Sequence, residues 1–162
     1  LNGTCNYVLT RMEDGLTFAD ALLHAQERGF AEEDAELDVG GEDAAQKLRI
    51  LAELAFDAPV RRTTVVGIRG VTTNAIADAR NAGCVIRLVA EARRVHGGVE
   101  LSVTPRHIPK SEPFARIVDE QNAVIIRGRA SGELLLSGRG AGALPTATAV
   151  LSDILECARD LT

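Results

Sequence analysis

The spacing of apolar residues divides the chain into stretches of different period. Up to residue 56 the pattern is helical. Asn6–Glu13 reads as a short amphipathic helix. Thr17 and Asp20 then form an N-cap pair for a helix running to Arg28, with Phe18, Leu22 and Ala25 on one face and Gly29 as its stop. A third helix, Asp43–Phe56, ends before Pro59. Beyond it the pattern becomes mixed. Val65–Ile68 is a short β-rich run, and Thr73–Asn81 a helix closed near Gly83. Val85–Ala92 and Val99–Thr104 read as strands around a Gly97-Gly98 turn. Pro105, Pro109 and Pro113 punctuate an irregular connection. Ala123–Arg127 and Glu133–Ser137 form two strands joined by a tight turn, and Thr146–Arg159 is a closing helix. Helices at both ends around a mostly antiparallel sheet predict an α+β domain over residues 1–162.

Composition narrows the function classes. The length of 162 residues suits one domain with a real core, and four Phe, one Tyr and no Trp leave aliphatic side chains to fill it. A net charge of −5 argues against a nucleic-acid partner, which needs a basic face. No apolar run approaches the roughly 20 residues that span a bilayer, and no secretory signal is visible. Cys5, Cys84 and Cys157 form no CxxC pair and read as reduced thiols in a cytoplasmic protein. The chain opens on Leu1-Asn2-Gly3-Thr4 and closes on helix-like sequence, so it is expected to be a piece of a longer polypeptide.

Candidate chemistry begins in the segment from Phe30 to Gly41, which holds five carboxylates and no base, with Glu42 and Asp43 directly after. A solvated loop with acids gathered at a helix N-terminus accounts for the carboxylates alone. Lys47 changes the picture. At roughly 100° per residue, Gln46, Arg49 and Glu53 share a polar arc of the third helix. Asp43 and Lys47 fall in line with Ile50 and Leu54 instead. The chain has 16 Arg but only two Lys, at 47 and 110. A lysine can release its proton when desolvated, and a guanidinium cannot. A simple i,i+4 ion pair between Asp43 and Lys47 is the plainer alternative. Taken together, Glu32, Asp38, Asp43 and Lys47 are expected to hold a small molecule with a cationic group, with the lysine handling a proton. A calcium loop is the rival use of such acids, but the spacing does not match an EF-hand.

Near the end, Gly138-Arg139-Gly140-Ala141-Gly142-Ala143 satisfies a loose G-x-G-x-x-A pattern. Only 19 residues follow, too few for a second parallel strand with its ribose-binding acid. The run is therefore no complete nucleotide-binding unit. It is either a loop where backbone passes close to something flat or anionic, or a tight turn before a helix begun by Pro145.

These features, in this order, resemble the homoserine dehydrogenase family over nearly the whole chain. Asn2-Gly3-Thr4-Cys5-Asn6-Tyr7-Val8-Leu9 is similar to that family's N-G-T-x-N-Y-I-L segment. Gly29-Phe30-Ala31-Glu32 through Asp38, Asp43 and Lys47 is similar to its signature G-(Y/F)-A-E-x-D-P-x-x-D-x-x-G-x-D-x-x-x-K. Gly138-Arg139-Gly140-Ala141-Gly142 with Pro145-Thr146-Ala147 is similar to its closing G-x-G-A-G-x-x-P-T-A. Ala35 stands where the family usually has Pro, Cys5 where Thr is common, and Ala75 where an acid is usual.

The resemblance implies a substrate domain like the C-terminal domain of glyceraldehyde-3-phosphate dehydrogenase, a sheet covered by helices. It implies NADP- or NAD-dependent reduction of L-aspartate 4-semialdehyde to L-homoserine, a step toward threonine and methionine. Lys47 would be the acid that protonates the aldehyde oxygen, and Asp43 would touch substrate and orient Lys47. Glu32 and Asp38 would bind the substrate's amino group, with Gly29 nearby. Gly140, Gly138 and Thr4 would meet the cofactor, whose Rossmann domain is not among these residues, so this piece alone should not catalyse. A homodimer is also implied. The alternative is a non-catalytic dimerisation and substrate-binding module of a degenerate relative.

Overall fold

The structure is a computed structural model that describes residues 1–140 and 142–160. Its elements alternate as the sequence suggests, with a few displaced boundaries. Helices α1 (Gly3–Glu13), α2 (Phe18–Glu27), α3 (Glu36–Gly40) and α4 (Glu42–Phe56) come first. Strand β1 (Val60–Val65), helix α5 (Thr73–Asn81) and strands β2 (Cys84–Val95) and β3 (Gly98–Pro109) follow. A 3-10 turn (Pro113–Arg116) leads to β4 (Gln121–Gly128), β5 (Gly132–Arg139) and α6 (Ala143–Asp160). The α+β class holds.

Strands β1, β3 and β2 form one sheet in that order, with β2 and β3 antiparallel and β1 parallel to β3. Alternation along β2 and β3 gives the sheet two unlike faces. Ile86, Leu88, Ala90, Leu101 and Val103 belong to the hydrophobic core, where α1, α4 and α5 pack on the sheet. Glu91, Arg93, Glu100 and Arg106 belong to the opposite set, tied by Arg93–Glu100 and Arg106–Glu91 ion pairs. Val8 and Leu9 of α1 are fully sealed. β4 and β5 form a separate hairpin, which meets the body through α1.

Four expectations need correction. The first helix starts at Gly3 rather than Asn6, because Asn2 caps it by accepting from the Cys5 backbone N–H. The acidic segment is not all loop, since it contains the short helix α3. The strand expected over Val65–Ile68 is instead β1, Val60–Val65. Its pairing ends where Val66 donates to the Val103 carbonyl and Gly67 slides beneath α3. A Cβ at Gly67 would collide with the Val39 and Gly40 backbone, so the contact demands glycine there. Last, β3 runs to Pro109 through what looked like an irregular connection. β1 reaches only to Val103, so Pro105 sits where β3 is an edge on that side and no ladder N–H is missed.

The remaining boundaries grow outward. β2, β4 and β5 are each longer than their apolar runs, and α6 starts before Pro145. That proline lies in the first turn, where its missing N–H costs nothing.

Candidate active site

The candidate residues gather where α1, α3 and α4 begin. Two backbone anchors fix α3: Ile68 N–H donates to the Val39 carbonyl (2.8 Å) and the Cys5 thiol to the Asp38 carbonyl (3.1 Å). Val39 is fully buried. Gly41 then turns the chain from α3 into α4 with φ 91°, a left-handed conformation. A Cβ there would press on Val65 and Val103 of the sheet. Two short steps of chain thus place Asp38 and Asp43 side by side.

Hydrogen bonds join them to the lysine. The Asn2 amide donates to Asp38 Oδ1 (2.6 Å) and to Asp43 Oδ2 (2.9 Å). Lys47 Nζ donates to the same Asp43 oxygen at 2.7 Å. The Lys47 side chain is 52% exposed and Asp43 27%, so the ammonium sits at the mouth of the cluster with the acids behind it. The core side of α4 is Ala44, Leu48 and Ala52. Ile50 and Leu54, in line with Lys47, are 59% and 80% exposed, so that stripe faces outward.

The other predicted residues take different places. Thr4 is buried, and its hydroxyl donates to the Phe30 carbonyl (2.6 Å) while lying 3.3 Å from Asp38 Oδ2. Gly29 has φ 73° and ends the turn after α2. Glu32 is exposed. Its carbonyl accepts from Gln26, and among the described residues no hydrogen bond ties its carboxylate to the cluster. Gly138 is the next-to-last residue of β5, with open space where a Cβ would stand. At Gly140 a Cβ would strike the Asn122 side chain. Ala141, in the same run, lies outside the described residues. The run approaches α1 through its partner strand: Gln121 pairs with Arg139, and the Asn6 amide donates to the Gln121 carbonyl at 2.6 Å.

Asn2 is the residue that the sequence reading missed. Its signal was there: Asn is a preferred N-cap, and a helix starting at Gly3 would have marked it. Cys5 lies under the cluster, fully buried, and burial with the nearby Asp38 pushes its thiol up, so it stays protonated. Among the described residues no three His, Cys, Asp or Glu side chains are grouped as a metal site, and no helix is long and apolar enough to cross a membrane.

Known proteins share this arrangement of chain. The family model for homoserine dehydrogenase matches residues 1–155. The chain belongs to the homoserine dehydrogenase family. A homoserine dehydrogenase of Synechocystis is 44% identical over 162 residues, covering 96% of this chain and 37% of that protein. One from Bacillus subtilis is 38% identical, covering 99% of this chain and 38% of its own. The chain thus spans well under half the length of the curated relatives it matches. Among solved structures, Staphylococcus aureus homoserine dehydrogenase at pH 6.0 superposes with a TM-score of 0.90 at 39% identity, covering 99% of this chain and 42% of that one. A hyperthermophilic archaeal homoserine dehydrogenase in complex with NADPH gives 0.82 at 32% identity, covering 99% and 46%. The fold described above is that of the catalytic domain of this family.

Proposed function

We propose that the chain is the substrate-binding and catalytic part of a homoserine dehydrogenase that reduces L-aspartate 4-semialdehyde to L-homoserine, on the way to threonine and methionine. The observation that carries the reading is the Lys47 ammonium bonded to Asp43, which Asn2 links to Asp38. An amino-acid aldehyde needs two things from such a site. Its ammonium needs carboxylates, and its carbonyl oxygen needs a positive, proton-bearing group.

NADP or NAD would be bound mainly by a part of the enzyme outside this chain. The glycine run suits the edge of such a cofactor, because the space beside Gly138 is open. When bound, the nicotinamide supplies hydride to the aldehyde carbon. Lys47 delivers its proton to the oxygen as charge builds there, and in the reverse direction takes it back. Asp43 touches the substrate and holds the Nζ in place, and Asp38, with Glu32 from the rim and Gly29 nearby, receives the substrate ammonium. Gly140, Gly138 and Thr4 line the cofactor side, Thr4 through its backbone because its hydroxyl is committed within the domain.

The same reading gives the exposed apolar residues a use. Leu134, Leu135 and Leu136 of β5 and Leu151, Ile154 and Leu155 of α6 are about half exposed. They suit docking to the enzyme's own nucleotide-binding domain and to a twin in a homodimer. The enzyme would work in the cytoplasm on a small-molecule substrate.

The test is Lys47→Ala in the complete enzyme. Turnover should fall by about 10²–10⁴-fold, the usual contribution of a positioned acid–base group, with subunit association unchanged on a sizing column. Undiminished turnover would remove the lysine from the chemistry, whereas a complete wild-type enzyme without turnover would point to a non-catalytic binding module.

A further inference from the structure

Asn2 does two jobs with one amide, and the jobs fix its identity. Its Oδ1 accepts the Cys5 backbone N–H at 2.8 Å, capping α1. Its Nδ2 carries two protons and donates one toward Asp38 and the other toward Asp43. Turning the amide over would set its NH2 against a backbone N–H and its oxygen against two carboxylates, so the chemistry permits only one orientation. Asn2 is only 5% exposed. Asn2 therefore connects the starts of α1 and α4 with α3 between them.

Other capping residues would not serve. Ser caps a helix about as well as Asn but is too short to bridge two carboxylates. Asp caps as well and suits the helix dipole better, yet it would add a third anion and remove both donors. The bridge also leaves something free. Among the described residues, Asp43 Oδ1 accepts no hydrogen bond. Asp38 Oδ2 has only the Thr4 hydroxyl at 3.3 Å, whose proton is directed to the Phe30 carbonyl at 2.6 Å. Each acid thus keeps one oxygen without a committed donor, while its other oxygen is pinned to the same nitrogen. A neutral donor holds the acids together without neutralising either.

We infer that Asn2 is a positioning residue that sets Asp38 and Asp43 as one receptor for the ammonium of the amino-acid substrate. This rests on the function proposed above and adds the residue that gives the site its preference for an amine-bearing ligand. Without the bridge the two carboxylates repel and turn toward water, and the ammonium meets each acid separately.

The experiment compares Asn2→Ser with wild type in the complete enzyme, using calorimetric titration with L-homoserine and with 4-hydroxybutanoate, which is homoserine without its ammonium. Ser retains the cap, so the protein should still fold, at a moderately lowered unfolding midpoint. Homoserine binding should weaken about tenfold to a hundredfold, as for lost hydrogen bonds to charged groups, while 4-hydroxybutanoate binding stays as in wild type. Asn2→Asp should show the same selective loss. Equal losses for both ligands would mean general damage and overturn the inference, as would unchanged homoserine affinity. A wild-type enzyme that binds no homoserine would overturn it together with the proposed function. Lys47→Ala, run alongside, separates the two: full turnover there with a selective Asn2→Ser effect ends the proposed proton transfer and leaves the receptor standing.

Discussion

In the body formed by α1–α5 and the three-stranded sheet, Val8, Leu9, Leu101 and Val103 are sealed from solvent, whereas in β4, β5 and α6 comparable residues such as Ile126, Leu136, Leu151 and Ile154 stand about half exposed. The two regions are similar in kind of side chain and differ in what lies against them. The body stacks helices on a sheet and closes a core from its own residues. The hairpin has one partner face at most, and a lone hairpin or amphipathic helix cannot bury its apolar side unaided. The lesson concerns the site: every member of the Asn2–Asp38–Asp43–Lys47 cluster belongs to the self-sufficient region, so its geometry is set before any partner arrives. The glycine run belongs to the dependent region, where a contact with cofactor would be completed by something else.

Two arginine–glutamate pairs test the contrast most strongly. Arg87 and Glu13 pair at 2.5 Å with side chains 4% and 20% exposed, and Arg87 also donates to the Ile86, Ala115 and Ile117 carbonyls. Arg127 and Glu133 pair at 2.9 Å across the hairpin at 72% and 43% exposure. Arg87→Met should cost about 3–5 kcal/mol in denaturant unfolding, because it strands a part-buried acid and three carbonyls. Arg127→Met should cost no more than about 1 kcal/mol. Equal costs would mean that the arm is packed as firmly as the body.

Truncating leucines sharpens the same point at a slightly smaller scale. Leu101→Ala should destabilise this chain by about 2–5 kcal/mol, and Leu135→Ala by about 0.5 kcal/mol or less. Repeating the pair in the complete enzyme should raise the cost at Leu135 if that side chain docks there. Calorimetric unfolding of both forms reads the difference.

The smallest effect concerns two thiols and pH. The folded Cys5 thiol is pushed up from its ordinary value by burial, with Asp38 adding to the effect. Above about pH 8.5 the unfolded chain loses that proton and the folded chain keeps it. The unfolded state then binds fewer protons, so stability falls as pH rises, by at most about 1.4 kcal/mol per pH unit. Cys5→Ala should remove this alkaline loss. Cys157→Ala, at an exposed position of α6, should leave it intact. An unchanged slope in Cys5→Ala would show that other groups cause it.

Period and capping residues settled much of this protein before any coordinates. The Thr17–Asp20 cap opens α2, and α5 runs over Thr73–Asn81 as its pattern predicts, because these signals act between residues close in the chain. The stripe joining Asp43 and Lys47 was legible for the same reason, since one helical turn separates them. What the sequence could not decide lies between distant segments. β3 continues past Pro105 only because β1 stops short. Gly67 ends β1 because α3 lies against it. Asn2 reaches Asp38 and Asp43 across more than thirty residues. Which acids share a donor, and which leucines find cover, depend on the packing of one element against another, and local propensity carries no record of that.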